Sequence, residues 1–245
     1  MRATPTPGCT RRSPSSGRRS WRPPANFPEW PGVRGPATIS AMSYGVTPTR
    51  VDAPAKFGTE AFYASLGRAF LTMCAVIPGL FLIEALDVAL GQGTLDMAGG
   101  IIPHHLDGLD GVLFSPFLHS GWDHLYGNAV PLILVGTFAM AGGGRRFLWS
   151  TLVIMLISGI GVWFVGDPST VVVGASGVIF GYLGLLLGRG LFERSWWNLA
   201  VAAFVGLLYW YQVYNILPTD RAVSWQGHLL GLIGGLVAAV LFRRR

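Results

Sequence analysis

Six apolar stretches occupy most of the chain from residue 69 onward, and they constrain its fold more than any other feature. A helix needs about 20 mainly apolar residues to cross the hydrocarbon core of a bilayer. Most of the six reach that length once their polar flanks are included, so the sequence predicts membrane spans. The stretches are residues 69–90, 125–140, 147–165, 174–187, 197–214 and 225–242.

The composition agrees with a membrane as the main solvent. Hydrophobic residues make up 51% of the chain and charged residues only 12%, which is about half the charged share of a soluble domain. The net charge is +6, but the arginines bracket apolar runs instead of forming the basic face that nucleic acid binds. We therefore predict an all-α, polytopic membrane bundle of six transmembrane helices, with no nucleic-acid partner.

The distribution of arginine predicts an orientation. Arginines crowd the first 68 residues, the short loop with Arg145 and Arg146, the segment with Arg189 and Arg194, and the carboxyl terminus, whereas residues 91–123 contain neither Lys nor Arg. Cytoplasmic loops carry an excess of these residues. We therefore expect both termini and the Arg189 segment, interpreted as a loop, on the cytoplasmic side, and residues 91–123 outside.

The first 66 residues differ from the rest. They are rich in Pro, Ser, Arg and Gly without apolar periodicity, a composition that cannot bury enough surface to order the chain. We interpret residues 1–66 as a disordered cytoplasmic leader, with Met42 as an alternative start site, and residues 67–245 as the membrane domain. Cys9 and Cys74 have no metal-ligand spacing and predict no disulfide framework.

A serine and a histidine stand out within the apolar stretches. Ser176 lies in the element Gly-Ala-Ser-Gly at the outer end of the fourth stretch, and His228 lies near the outer end of the sixth. An ionisable side chain inside an apolar span is expensive and marks a candidate functional site. Neutral imidazole can take the proton of a serine hydroxyl near pH 7. Neither stretch contains Asp or Glu, so a dyad is favoured over a triad.

The fourth stretch is also short. A helix over residues 174–187 rises about 20 Å, against a hydrocarbon core of about 30 Å. Something other than helix must cover the missing depth, and its backbone polar groups must be buried in protein or face water. We therefore expect residues 171–173 to be non-helical and Ser176 to lie at the floor of a water-filled pocket.

Other polar residues have plainer interpretations. Asn128 follows His124 by four residues, so both project from one helix face and could donate to an oxyanion. His104 and His105 lack a third ligand, and we predict a solvated loop and no metal. Glu84 and Asp87 share one face near the outer end of the first helix and are interpreted as anchors at the membrane boundary.

Three motifs, in this order, resemble those of the rhomboid family of intramembrane serine proteases. "HSGWDHLYGN" contains His119, His124 and Asn128; "GASGVIFGYLG" contains the serine, and "GHLLGLIGG" contains the histidine. The resemblance covers about residues 66–242. It implies Ser176 as nucleophile and His228 as general base.

The resemblance also assigns supporting roles. The oxyanion hole would comprise His124, Asn128 and the Ser176 backbone amide, and His119 would be a structural residue of the first outer loop. The sixth helix would pack closely on the fourth through small residues. The supporting glycines are Gly174, Gly177, Gly231 and Gly235.

Two positions depart from the family pattern. Phe180 stands where many members place a tyrosine that stacks on the histidine. The Trp-Arg pair usual in the first outer loop is absent, and Asp110 and Gly111 stand near that position. The second departure bears on the structure of the loop more than on the chemistry.

The resemblance implies an intramembrane serine endopeptidase of the bacterial cell membrane, without a cofactor, that cleaves transmembrane protein substrates near the outer face. Two alternatives come from other classes. A catalytically silent rhomboid-like protein would bind membrane helices, but such proteins usually lack the serine or the histidine. A small transporter could use a broken fourth helix, but it predicts an inverted repeat, and the "GASG" element has no second copy.

Overall fold

The computed structural model describes residues 57–208, Trp210, Leu217 and residues 224–244. Residues 1–56 of the predicted leader, with the alternative start at Met42, lie outside the described part, as does most of the chain between 209 and 223.

The described residues form an all-helical fold, as the sequence predicted. Three helices are long and apolar enough to cross a membrane, and three further apolar helices are shorter, with 10 to 17 residues each. Two short helices lie in the loop of residues 91–121. The helices are α1 (Glu60–Leu90), α2 (Thr94–Gly99), α3 (Gly111–Phe114), α4 (Trp122–Ala141), α5 (Gly144–Val165), α6 (Ser176–Phe192), α7 (Trp196–Leu208) and α8 (Trp225–Leu241).

Helix boundaries differ from the predicted stretches where polar residues take part in the helix. α1 begins at Glu60, well before residue 69, because the Thr59 hydroxyl caps it by accepting a hydrogen bond from the Phe62 amide at 3.3 Å. α6 begins at Ser176 and continues to Phe192. Residues 171–175 before it are not helical, as the length argument anticipated.

The placement of Arg189 in an inner loop was wrong. Arg189 lies inside α6 and is 1% exposed, and its Nη1 donates to the Ala139 carbonyl at 2.6 Å. A Cβ on Gly142 would lie 2.6 Å from the same nitrogen. The guanidinium therefore donates a hydrogen bond to a carbonyl at the end of α4. Because Arg189 has this acceptor, α6 continues beyond the point where the apolar pattern of the sequence stops.

α6 is the central helix, and it meets α8 backbone to backbone. A Cβ on Gly231 would overlap the Gly177 carbonyl oxygen, and one on Gly235 would overlap that of Gly181. In the other direction, a Cβ on Gly184 would overlap a carbonyl of α8. Small residues let helices in lipid approach this closely, so dispersion contacts along the whole seam stabilise the pair.

We predict that Gly235→Ala lowers the free energy of unfolding by about 1–3 kcal/mol, because the added methyl group must displace backbone atoms of α6. Thermal unfolding in detergent measures the effect. Gly79→Ala is the matched control, since a Cβ there has nothing within 4 Å and alanine favours a helix interior by about 1 kcal/mol. Equal unfolding temperatures for the two variants would contradict the close seam.

The loop of residues 91–121 is folded onto the helices. Ile101 and Val172 form an isolated antiparallel bridge, with both hydrogen bonds at 2.9 Å. Near the end of α1, the Asp87 carboxylate accepts hydrogen bonds from the amides of Gly93 and Leu95, each at 2.6 Å. Asp87 thus anchors the start of the loop, and the loop in turn pairs with the segment that precedes α6.

Asp96 in this loop titrates abnormally. Burial, then the nearby Asp87 and Glu84, raises the pKa of Asp96 from 3.8 to about 6. A raised pKa means that the folded chain binds the proton more tightly than the unfolded chain does. The stabilisation is complete below pH 3.8 and is lost as the pH rises through about 6.

We therefore predict that Asp96→Asn, which is neutral at every pH, unfolds at a higher temperature than the wild type above pH 6. The difference should widen between pH 4 and 6 and then stay constant, reaching roughly 3 °C or more. Asp107→Asn, at an exposed position of the same loop, is the control. Parallel profiles for wild type and Asp96→Asn would contradict a raised pKa.

Candidate active site

A cavity of about 1360 Å³ lies among α4, α5, α6, α8 and the loop of residues 91–121. Six of the predicted site residues line it, and the other four, His119, Phe180, Gly231 and Gly235, belong to the same elements without lining it. Val171, Val172 and Val173 also line the cavity, so the non-helical backbone before α6 borders this space. The lining residues predicted from sequence are His124, Asn128, Gly174, Ser176, Gly177 and His228.

Ser176 is the first residue of α6 and is partly exposed. The amides just before it are occupied: Gly174 donates to the Ser115 carbonyl at 2.9 Å, and Ala175 donates to Nε2 of His119 at 3.5 Å. No residue in the described ranges accepts a hydrogen bond from the Ser176 amide. The first N–H groups of a helix lack partners within it and form its positive end, so this point favours an anion.

Gly174 brings two polar side chains to the serine. Its φ is +119°, which L side chains rarely adopt, and a Cβ there would lie 2.6 Å from Cε1 of His124, 2.8 Å from its Nε2 and 3.7 Å from Nδ2 of Asn128. Only glycine suits this position. Because Gly174 precedes Ser176 by two residues, His124 and Asn128 lie against the start of the segment that leads into Ser176.

Hydrogen bonds around the start of α4 orient these two side chains. The Asn128 amide donates to the His124 carbonyl at 3.1 Å, and an amide nitrogen carries two N–H donors, so one remains for a ligand. The Ser120 hydroxyl lies 3.2 Å from Nδ1 of His124. When that hydroxyl donates, the imidazole proton resides on Nε2, the nitrogen nearer Gly174.

His228 lies in the first turn of α8 and is 5% exposed. Its ring stacks on Phe180, with ring centroids 4.3 Å apart and an interplanar angle of 24°. Phe180 stands one turn after Ser176 on α6. The backbone contact of Gly231 with Gly177 lies beside both residues, so the close seam brings the serine and the histidine to the same level of the two helices.

His119 supports the segment before Ser176 as well as the loop of residues 91–121. It is 2% exposed, and burial, followed by the nearby His124, lowers its pKa to about 4 against a smaller opposing effect of the Phe117 backbone. His119 is therefore neutral at pH 7. Its unprotonated Nε2 can accept the Ala175 N–H bond, which protonation would remove.

Ser158 is a site residue that sequence reasoning missed. It lies on α5, lines the cavity, and donates from Oγ to the Gly227 carbonyl at 3.0 Å. A Cβ on Gly177 would lie 2.7 Å from the same Oγ. A serine in an apolar helix is typical of helix packing, so only its spatial position next to two motif glycines distinguishes it.

His104 and His105 lie away from the cavity lining. The His104 ring is 6.2 Å from that of Trp163, whose Nε1 donates to the His105 carbonyl at 2.8 Å. Within the part of the chain that the structure describes, no group of three His, Cys, Asp or Glu side chains is arranged to hold a metal ion. The pair contributes to the loop through its backbone and a ring contact.

We predict that cysteine at position 173 or 176 reacts with a small hydrophilic thiol reagent, because both positions line the cavity. Cysteine at 186 should react roughly 10-fold more slowly or less, since Leu186 is fully buried and access limits thiol reactivity. Labelling of Val173→Cys, Ser176→Cys and Leu186→Cys, with Cys9 and Cys74 replaced by Ala, measures this. Equal protection at all three positions would exclude a water-accessible cavity.

Comparison with known proteins adds independent information. A sequence model described as "Rhomboid domain" matches residues 108–245, a range that includes every predicted site residue. An uncharacterized protein of Mycobacterium tuberculosis H37Rv is 39% identical over 183 residues, which cover 71% of this chain and 74% of that protein.

Two relatives carry protease names. The rhomboid protease GluP of Bacillus subtilis is 38% identical over 139 residues, covering 52% of this chain and 25% of that protein. The rhomboid-like protease 5 of Toxoplasma gondii is 32% identical over 131 residues, covering 51% of this chain and 15% of that protein. Both similarities extend over only the smaller part of the relative.

Proposed function

The chain belongs to the rhomboid family, and from that premise we propose that it is a serine endopeptidase that cleaves transmembrane protein substrates. Family membership and the apolar helices make it an integral, multi-pass membrane protein. The proposal includes cleavage near the outer face, with both termini cytoplasmic. The observation that carries it is the single cavity lined by Ser176, His228, His124 and Asn128.

In the proposed reaction, Oγ of Ser176 attacks the scissile carbonyl while His228 takes its proton. The carbonyl oxygen becomes an oxyanion close to the start of α6. Three donors converge there: the Ser176 amide, Nδ2 of Asn128 and Nε2 of His124. Removal of one preorganised donor of this kind costs about 10²–10³ in rate. His228 then protonates the leaving amine, and the serine is left as an acyl ester.

Hydrolysis of the ester requires water at the same place. The cavity of about 1360 Å³ supplies the space, and its wall of non-helical backbone needs polar contacts that lipid cannot provide. His228 acts again as base for the water, and Ser176 leaves as its alcohol. One polar cavity therefore serves both the backbone of residues 171–173 and the chemistry.

The Phe180 ring supports the histidine in place of a carboxylate. A stacked aromatic ring fixes the imidazole plane, and its negative face attracts the imidazolium that forms when His228 takes the proton. This contact needs no hydroxyl, so the replacement of the family's tyrosine by phenylalanine retains it. The proposed dyad is thus Ser176 and His228, with Phe180 as a positioning residue.

We predict that Ser176→Ala and His228→Ala each reduce kcat for a model membrane-helix substrate by about 10³-fold or more, while the double variant is little worse, because the pair acts as a unit. A fluorophosphonate probe should label the wild type and not Ser176→Ala. Ser169→Ala, at an exposed serine of the outer surface, is the control and should label normally.

The probe also separates the alternatives, because only an activated serine reacts with it. A silent helix-binding protein or a transporter would leave the probe unreacted and the substrate intact. More than a tenth of wild-type turnover in either single variant would also contradict the dyad.

A further inference from the structure

We propose that Ser158 is a positioning residue that fixes the first turn of α8 and thereby the orientation of His228. The inference rests on the proposed function, since it assigns a role within the same reaction. It starts from the hydroxyl of Ser158, which donates to the Gly227 carbonyl at 3.0 Å. Gly227 directly precedes the histidine.

The first turn of a helix is the part most in need of external support. Its amides lack intrahelical partners, and helix ends fray more readily than their middles. In α8 this turn carries His228. The Gly227 amide donates to the Ser224 hydroxyl at 3.3 Å, and its carbonyl accepts from Ser158. Both polar groups of the residue before the histidine are thus bonded to serine side chains.

Ser158 also contacts the helix that carries the nucleophile. A Cβ on Gly177 would lie 2.7 Å from Oγ of Ser158 and 3.4 Å from the Gly227 carbonyl oxygen. One hydroxyl of α5 therefore touches the residue after Ser176 and bonds to the residue before His228. Ser158 is 7% exposed, so its position is set by packing on both helices.

The proposed dyad gives this contact a catalytic consequence. In a triad, a carboxylate bonded to the imidazole holds it in register. Here the stack of the His228 ring on Phe180 and the backbone of its helical turn both contribute to its orientation. Loss of the Ser158 bond lets that turn rotate, and misplacement by about 1 Å can cost up to 10²-fold in rate.

Two variants separate hydrogen bonding from packing. Ser158→Ala removes the hydroxyl, whereas Ser158→Cys fills similar space with a weak donor. Ser150→Ala is the matched control: Ser150 lies on the same helix, is 0% exposed, and its hydroxyl has no partner among the described residues. Turnover of a membrane-helix substrate, rate of fluorophosphonate labelling and unfolding temperature are measured for each.

We expect both Ser158 variants to lower kcat and the labelling rate by about 10-fold, with KM within about 2-fold of the wild type. Their unfolding temperatures should stay within about 4 °C of the wild type, since one buried hydrogen bond contributes about 1 kcal/mol. Ser150→Ala should keep wild-type kcat. Wild-type kcat in Ser158→Ala would overturn the proposal. So would full recovery in Ser158→Cys, because it would make the contact one of packing alone. A wild type that the probe does not label would instead overturn the proposed function, whatever the Ser158 variants do.

Discussion

The direct backbone contact between α6 and α8 is the interaction on which the rest of the described structure depends. Glycines on each helix face carbonyl groups of the other, so the two backbones touch along several turns. Because lipid tails are as apolar as the helices, the hydrophobic effect does not drive the helices together, and close dispersion contacts must hold them. The same contact sets the separation of Ser176 and His228, because Gly177 and Gly231 lie within one turn of them.

The second constraint is the need to satisfy backbone polar groups where the chain is not helical. The segment before α6 finds its hydrogen-bond partners in the loop of residues 91–121. Val172 pairs with Ile101, Gly174 donates to the Ser115 carbonyl, and Ala175 donates to the His119 ring. This arrangement explains why the loop of residues 91–121, with its short helices, is folded so tightly onto the bundle. It also leaves the Ser176 amide as the next donor along the chain, at the start of α6, where the proposed oxyanion would form.

Much of the fold could be predicted because membrane helices follow from hydropathy, and the motif residues were found because ionisable groups in apolar spans are rare. Where a predicted helix boundary was wrong, the error has a physical reason. Arg189 looked like the end of a span, yet it continues α6 as a buried side chain bonded to the Ala139 carbonyl. A hydropathy scale includes the cost of the Arg189 charge, but it contains no information about the carbonyl acceptor on the neighbouring helix α4.

The site shows the same division between local pattern and spatial contact. Spacing predicted that His124 and Asn128 share a face, which the geometry around Gly174 agrees with. Sequence could not identify Ser158, because nothing in its neighbourhood along α5 distinguishes it from a packing serine. Nor could it show that His119 serves the segment before Ser176, since that contact joins positions far apart in the chain.

The apolar environment of the membrane also explains why a Ser-His dyad suits this fold. An ionised carboxylate beside His228, as the third member of a triad, would have to be moved from water into an apolar bundle. That transfer costs several kcal/mol, which an ion pair recovers only with excellent geometry and further hydrogen bonds. An aromatic stack and a helix turn fixed by neutral hydrogen bonds incur no such penalty. In the proposed enzyme the orientation of the base is therefore distributed over helix packing, through Phe180, Gly227 and Gly231. Its catalytic competence is then inseparable from the close approach of α6 and α8, and small changes in that seam should alter turnover before they unfold the protein.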